Sequence, residues 1–107
     1  MIEFKEFSEE VEKYFKDFPC YLGISHYPLM DGTNNSPYVL PILFENIDDV
    51  GGRVAVHVSI SNSEMKLSKD RSELIKARVR NALSCLLKNT NSLELRSALS
   101  SSLKEFS

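Results

Sequence analysis

The stretch Arg53-Val-Ala-Val-His-Val-Ser-Ile-Ser61 decides the fold. Val54, Val56, Val58 and Ile60 fall on one side of an extended chain and Ala55, His57, Ser59 and Ser61 on the other, the period-two signature of a strand with one face on a core. Upstream, Asn46-Ile-Asp-Asp-Val-Gly-Gly52 reads as a connection and Tyr38 to Glu45 as a second strand. Pro41 lies inside that segment and cannot donate to a ladder, so this strand is expected at a sheet edge or with a bulge. Before the turn formers Met30-Asp-Gly-Thr-Asn-Asn-Ser36, the residues Cys20, Leu22, Ile24 and His26 alternate with Tyr21, Gly23, Ser25 and Tyr27, which predicts a third, half-buried strand. Short connections between successive strands favour an antiparallel meander.

Helical periodicity flanks the strands on both sides. Phe4, Phe7, Val11, Tyr14, Phe15 and Phe18 draw one apolar stripe, and Pro19 stops the helix that carries it. After Asn62-Ser-Glu64 the period returns to 3.6. Ile75, Val79, Ala82 and Leu86 cluster on one side of a second helix running from about Ser68 to Lys88. Asn91-Ser-Leu-Glu94 has capping-box spacing, and Leu95, Ala98, Leu99, Leu103 and Phe106 place a third helix after it. The expectation is a single α+β domain over residues 1–107, in the order α-β-β-β-α-α, with a three-stranded antiparallel meander and the helices packed on one face.

Composition bounds the function classes. A chain of 107 residues and 12.2 kDa should expose about 6,000 Å² when folded and bury enough to hold together without disulfides or metals. With 42% apolar and 26% charged residues it is an ordinary globular composition. Cys20 and Cys85 sit in apolar segments and read as reduced core residues, with no C-x-x-C pair for zinc or redox chemistry. The N-terminus lacks the basic and continuous apolar regions of a signal peptide, and the longest apolar run, Tyr38 to Phe44, is far short of a membrane span. A cytoplasmic protein with no membrane partner is therefore expected. Thirteen basic and fifteen acidic side chains give a net charge of −2, but the halves differ. Residues 1–50 carry three Lys and ten Asp or Glu, net −7, and residues 51–107 carry ten Lys or Arg and five Asp or Glu, net +5.

The residues offer surfaces rather than chemistry. His26 shares strand parity with Cys20 but lies about 20 Å along the strand, and His57 faces away from the valines, so a satisfied core His26 and a surface His57 are expected. No nucleophile elbow is present. Asp31-Gly-Thr-Asn-Asn-Ser36 departs from a calcium loop at the turn glycine and at the final Glu, and Gly51-Gly52-Arg53 is no phosphate loop because it precedes a strand. The pattern predicts no enzyme, no metal and no cofactor. If helices cover the valine face, Tyr21, Tyr27 and His57 share the other face beside the acidic turn of Glu45, Asp48 and Asp49. Tyrosine supplies rigid contact area with a polar tip, so these six residues form the candidate partner-binding site. The basic candidates are Lys69, Lys76 and Arg80 on one side of the second helix with Lys66 beside them.

Three strands between helices, with basic residues opening the second helix, resembles the topology of double-stranded-RNA-binding domains. That family would imply a broadly basic surface and Lys-Lys-x-Ala-Lys at the start of the last helix. Here Lys66-Leu-Ser-Lys-Asp-Arg71 matches it only loosely and the first half is acidic. An acidic patch on a small domain better suits an inhibitor that covers a basic active site. The expected function is a bacterial immunity or antitoxin-type protein that neutralises a nuclease-like toxin, as monomer or homodimer. An RNA-binding domain using the basic helix and a secretion chaperone are the alternatives.

Overall fold

Each expected element forms in the expected order, with a single 3-10 turn at Thr33–Asn35 and one short α-helix added. In a computed structural model of the chain, which describes residues 2–27, 29–45 and 51–106, α1 spans Phe4–Glu12, β1 Tyr21–Ile24, β2 Tyr38–Glu45 and β3 Arg53–Ile60. A short helix follows, α2 at Asn62–Leu67, then α3 at Arg71–Asn89 and α4 at Leu93–Glu105. The strands form one antiparallel sheet in the order β1-β2-β3, the meander expected from the short connections. Tyr38, Leu40, Ile42 and Phe44 of β2 and Val56, Val58 and Ile60 of β3 are buried on one face. They join Phe7 and Val11 of α1, Phe15, Met65 of α2, Ile75, Val79, Ala82, Leu83 and Leu86 of α3, and Leu95 and Leu99 of α4 in one core. The helices thus cover a single face of the sheet.

The apolar stripe of the first helix outlasts its α-helical geometry. Beyond Glu12 the chain tightens into turns, with Phe15 N–H bonding Glu12 at 2.9 Å and Phe18 N–H bonding Phe15 at 3.1 Å, so Phe15 still reaches the core. The additional helix α2 begins at a capping box: the Ser61 hydroxyl accepts from Glu64 N–H at 3.1 Å while the Glu64 carboxylate takes the Ser61 N–H. Ser61 therefore leaves the strand face on which alternation placed it. Asp70 caps α3 and Ser92, not Asn91, caps α4, accepting from Leu95 N–H at 3.3 Å.

Two strand expectations need correction. β2 is the central strand, so Pro41 is not at an edge, and β2 pairs with β3 without interruption from Tyr38↔Ile60 to Glu45↔Arg53. The proline is accommodated because a residue's N and C=O point the same way in an antiparallel ladder. Pro41 C=O accepts from Ser25 N–H at 3.0 Å, so its donorless nitrogen also faces β1, at the point where β1 has ended. The bulge falls instead in β1, where Tyr21 pairs with Phe44 and Gly23 with the adjacent Leu43, leaving Leu22 as the extra residue.

Candidate functional site

The sheet face opposite the helices is assembled by the β2–β3 register. Its rows are Val39–Ser59, Pro41–His57, Leu43–Ala55 and Glu45–Arg53, with Gly23 of β1 beside Leu43. Arg53, Ala55, His57 and Ser59 are exposed, as strict alternation requires. At one end the bulged Leu22, which is 44% exposed, meets Leu43 and Ala55 around an open hollow of about 300 Å³ that Arg53 also lines. Glu45 and Arg53 close that end as a cross-strand ion pair at 3.6 Å.

Tyr27 organises the middle of the face. It lies beyond the end of β1, yet its hydroxyl is 3.1 Å from His57 Nε2 and the two rings stack with centroids 5.8 Å apart. Because β2 separates β1 from β3, this contact reaches across the Pro41 row, and Pro41 is buried on an otherwise open face. Tyr27 itself stays 42% exposed. Beside Val39, whose N–H bonds the Met30 carbonyl at 3.0 Å, Met30 and Leu29 add further exposed apolar surface. The middle of the face is thus apolar and amphipathic, from the Leu22, Leu43 and Ala55 hollow to Tyr27, Pro41 and His57.

Of the sequence candidates, Tyr27, His57 and Glu45 lie on this face. Tyr21 does not. The Leu22 bulge resets the strand parity so that Tyr21 turns to the helix side, where its ring meets Phe44 edge-on at 5.9 Å and its hydroxyl donates to Glu12 Oε2 at 2.7 Å. Burial, reinforced by the bonded Glu12 carboxylate, pushes the Tyr21 phenol well above the ordinary tyrosine range. Asp48 and Asp49 lie outside the described residues. Asp31 is held below the usual carboxylate range by hydrogen bonds from the Thr33 hydroxyl, at 2.6 Å, and the Thr33 N–H. It fixes the turn around Gly32, whose positive φ of 86° and close approach to the Tyr38 ring leave no room for a Cβ.

The basic candidates separate into different grooves. Lys66 belongs to α2 and lines a groove with Asn35, Pro37, Ser61, Asn62 and Ser63. Lys69 sits between α2 and α3, off the helix on which its wheel position was counted. Lys76 and Arg80 line a shallow groove with Glu73, Asn81 and Phe106, where the Lys76 ammonium lies 5.6 Å over the Phe106 ring.

His57 is exposed as expected, whereas His26 and Cys85 depart from expectation. His26 is exposed rather than in the core and packs edge-on against Phe4 at 4.8 Å. Cys85 is exposed on α3, with Asn89 Nδ2 3.6 Å from its sulfur, and neither cysteine forms a disulfide. Among the described residues, no group of three His, Cys, Asp or Glu is placed to hold a metal, and no helix is long and apolar enough to cross a membrane. Sequence reasoning passed over Leu22, Leu43 and Ala55 as a site. The available signal was the near-continuous apolar run of β2, which puts Val39, Pro41 and Leu43 opposite Tyr38, Leu40 and Ile42, the pattern of a strand with apolar side chains on both faces. Comparison of the chain with protein-family models, with curated proteins and with solved structures finds no match in any of the three.

Proposed function

We propose that the protein is a protein-binding module whose partner docks on the uncovered sheet face. The observation that carries this reading is the make-up of that face: the Leu22, Leu43 and Ala55 hollow continues into the stacked Tyr27–His57 pair, with Glu45 at the rim. An apolar centre that excludes water, flanked by a tyrosine with a polar tip, is how protein interfaces concentrate binding energy. Charge supports the sign of the partner. Residues 19–50, which supply β1, β2 and their connections, contain Asp31, Glu45, Asp48 and Asp49 and no Lys or Arg, while Arg53 of β3 brings one cation to the face, paired with Glu45. A basic site on another protein would complement this sector, steered by charge and held by the apolar contact. The specific form of the reading is a bacterial immunity or antitoxin-type protein that covers the basic active site of a nuclease in the cytoplasm.

The test is to recover the partner from the native host on immobilised protein, purify it, and titrate it calorimetrically at low and high salt. Leu22→Asp should weaken binding at least about tenfold at either salt, because it puts a charge in the apolar centre. The triple reversal Glu45→Lys, Asp48→Lys, Asp49→Lys should weaken it mainly at low salt. The purified partner should be a nuclease whose activity the native chain suppresses. If both variants bind normally and Lys76→Glu with Arg80→Glu abolishes capture, the face is wrong and an RNA or acidic partner takes its place. If the captured protein is an exported effector held before secretion, the chaperone alternative takes over.

A further inference from the structure

The two edges of the sheet are unequal. β1 is four residues long, interrupted by the Leu22 bulge and contains Gly23, which are devices that discourage pairing at an edge. β3 is eight residues long and runs in unbroken register with β2. From Val54 to Ile60 it holds no Lys, Asp, Glu, Pro or Gly. Its bonding pattern follows from that of β2. Glu45 N–H bonds Cys20 C=O at 2.9 Å and Pro41 C=O accepts from Ser25, so the odd-numbered residues of β2 face β1 and the even-numbered ones face β3. Their partners Val54, Val56, Val58 and Ile60 therefore complete the ladder, and the main-chain groups of Arg53, Ala55, His57 and Ser59 point outward at an edge with which no other strand among the described residues pairs.

We infer that the β3 edge pairs antiparallel with β3 of a second copy of this chain, joining two sheets into one six-stranded sheet. The edge is self-complementary in one register above the others. A two-fold axis at Val56 sets Arg53 opposite Ser59 of the second copy and Ala55 opposite its His57, engaging every outward residue in about eight main-chain hydrogen bonds. The edge's only formal charge, Arg53, then meets an uncharged serine and its like partner is about 20 Å away. An axis at His57 stacks the two histidines and leaves Arg53 without a partner within β3. An axis at Ala55 sets Arg53 against His57 and strands Ser59. On the inner face the same register carries the valine rows of both copies across the junction. The pairing goes beyond the partner-docking reading and does not rest on it: the bonds lie in the plane of the sheet, and the docking face is perpendicular to them.

Two measurements test it. Sedimentation equilibrium of the full chain should show a concentration-dependent approach to twice the 12.2 kDa monomer mass. Amide exchange by nuclear magnetic resonance should show the Ala55, His57 and Ser59 amides at least about tenfold better protected in concentrated than in dilute solution. Val56 and Val58 amides, bonded to β2, should show no such dependence. Ala55→Pro removes an outward donor that β2 does not use, so it should give a monomer at every concentration with native circular dichroism. Leu22→Asp should leave the dimer intact, which separates this proposal from the docking face. A chain that stays monomeric at about 1 mM, or a dimer whose three edge amides exchange alike at all concentrations, overturns the inference. The exchange measurement on the native chain decides the matter even if the proline variant does not fold.

Discussion

Leu22 is one residue more than β2 can match, and that surplus decides where Tyr21 points. Alternation counted from Cys20 places Tyr21 outward; the bulge turns it inward onto Phe44 and Glu12 and exposes Leu22 instead. The hydrogen bond to Glu12 has a measurable cost of removal. Tyr21→Phe keeps the ring and should lower the unfolding free energy at neutral pH by about 1 kcal/mol in urea titrations. The alkaline behaviour carries a sign. Because the folded phenol titrates above the ordinary value of 10.0, its contribution is fully present below pH 10 and is lost as pH rises through the folded value. The native protein should therefore lose stability above pH 10, and Tyr21→Phe should lose less over the same range. Tyr38, also shifted upward by burial, keeps part of that slope in the variant. His26 and Cys85 carry the same lesson at single residues. Periodicity assigns a residue to a side of its element, and whether anything packs on that side depends on segments distant in the sequence.

At the scale of elements, most of the architecture was written in the chain. Three strands, the long α3 and the final α4 follow from apolar spacing, and the Gly51-Gly52 pair precedes β3 as its turn chemistry requires, whereas α1 ends at Glu12, well before the Pro19 expected to stop it, and α3 starts at Arg71 rather than near Ser68. The short α2 went unread although Ser61-x-x-Glu64 is a capping box, because the period-two run that precedes it carries Ser61 along as a strand residue. α2 is also tied to the rest of the fold by its buried Met65 and by the Glu64–Arg78 ion pair to α3. Ser61→Ala removes the cap and should destabilise the protein by about 1 kcal/mol, read as a lowered urea midpoint with an unchanged slope. Pro41 shows the opposite limit. That proline is excluded from a ladder is a sound rule, but it applies to one side of a strand at a time, and the β1–β2 register puts the missing donor of Pro41 on the β1 side, just past the end of β1.

For the molecule as a whole, the unequal halves remain largely separate. Among the described residues, three ion pairs form, and only Glu45–Arg53 joins the acidic first half to the basic second; Lys13–Glu10 and Arg78–Glu64 each stay within a half. Among the described residues, no ion pair links the acid of α1 to the base of α3. Packing, by contrast, crosses every boundary. One core takes side chains from all four helices and from β2 and β3, so unfolding should be a single cooperative step. Leu83 is fully buried in α3, and Leu83→Ala should cost about 3 kcal/mol while far-ultraviolet and tyrosine near-ultraviolet circular dichroism still report coincident transitions. Separate transitions would mean that α3 and α4 do not share the core with the sheet.

The sequence by itself determined the α+β class, the element order, the meander and which face of β3 enters the core, because each depends on periodicity and short connections that act within about ten residues. Tertiary structure decided the rest: the central place of β2, the inward turn of Tyr21, the reach of Tyr27 across β2 to His57, and the dispersal of Lys66, Lys69, Lys76 and Arg80. Each of these turns on an inter-strand register or a helix boundary. A shift of one residue there moves a side chain to the opposite face, and what fixes it is pairing between segments remote in the chain.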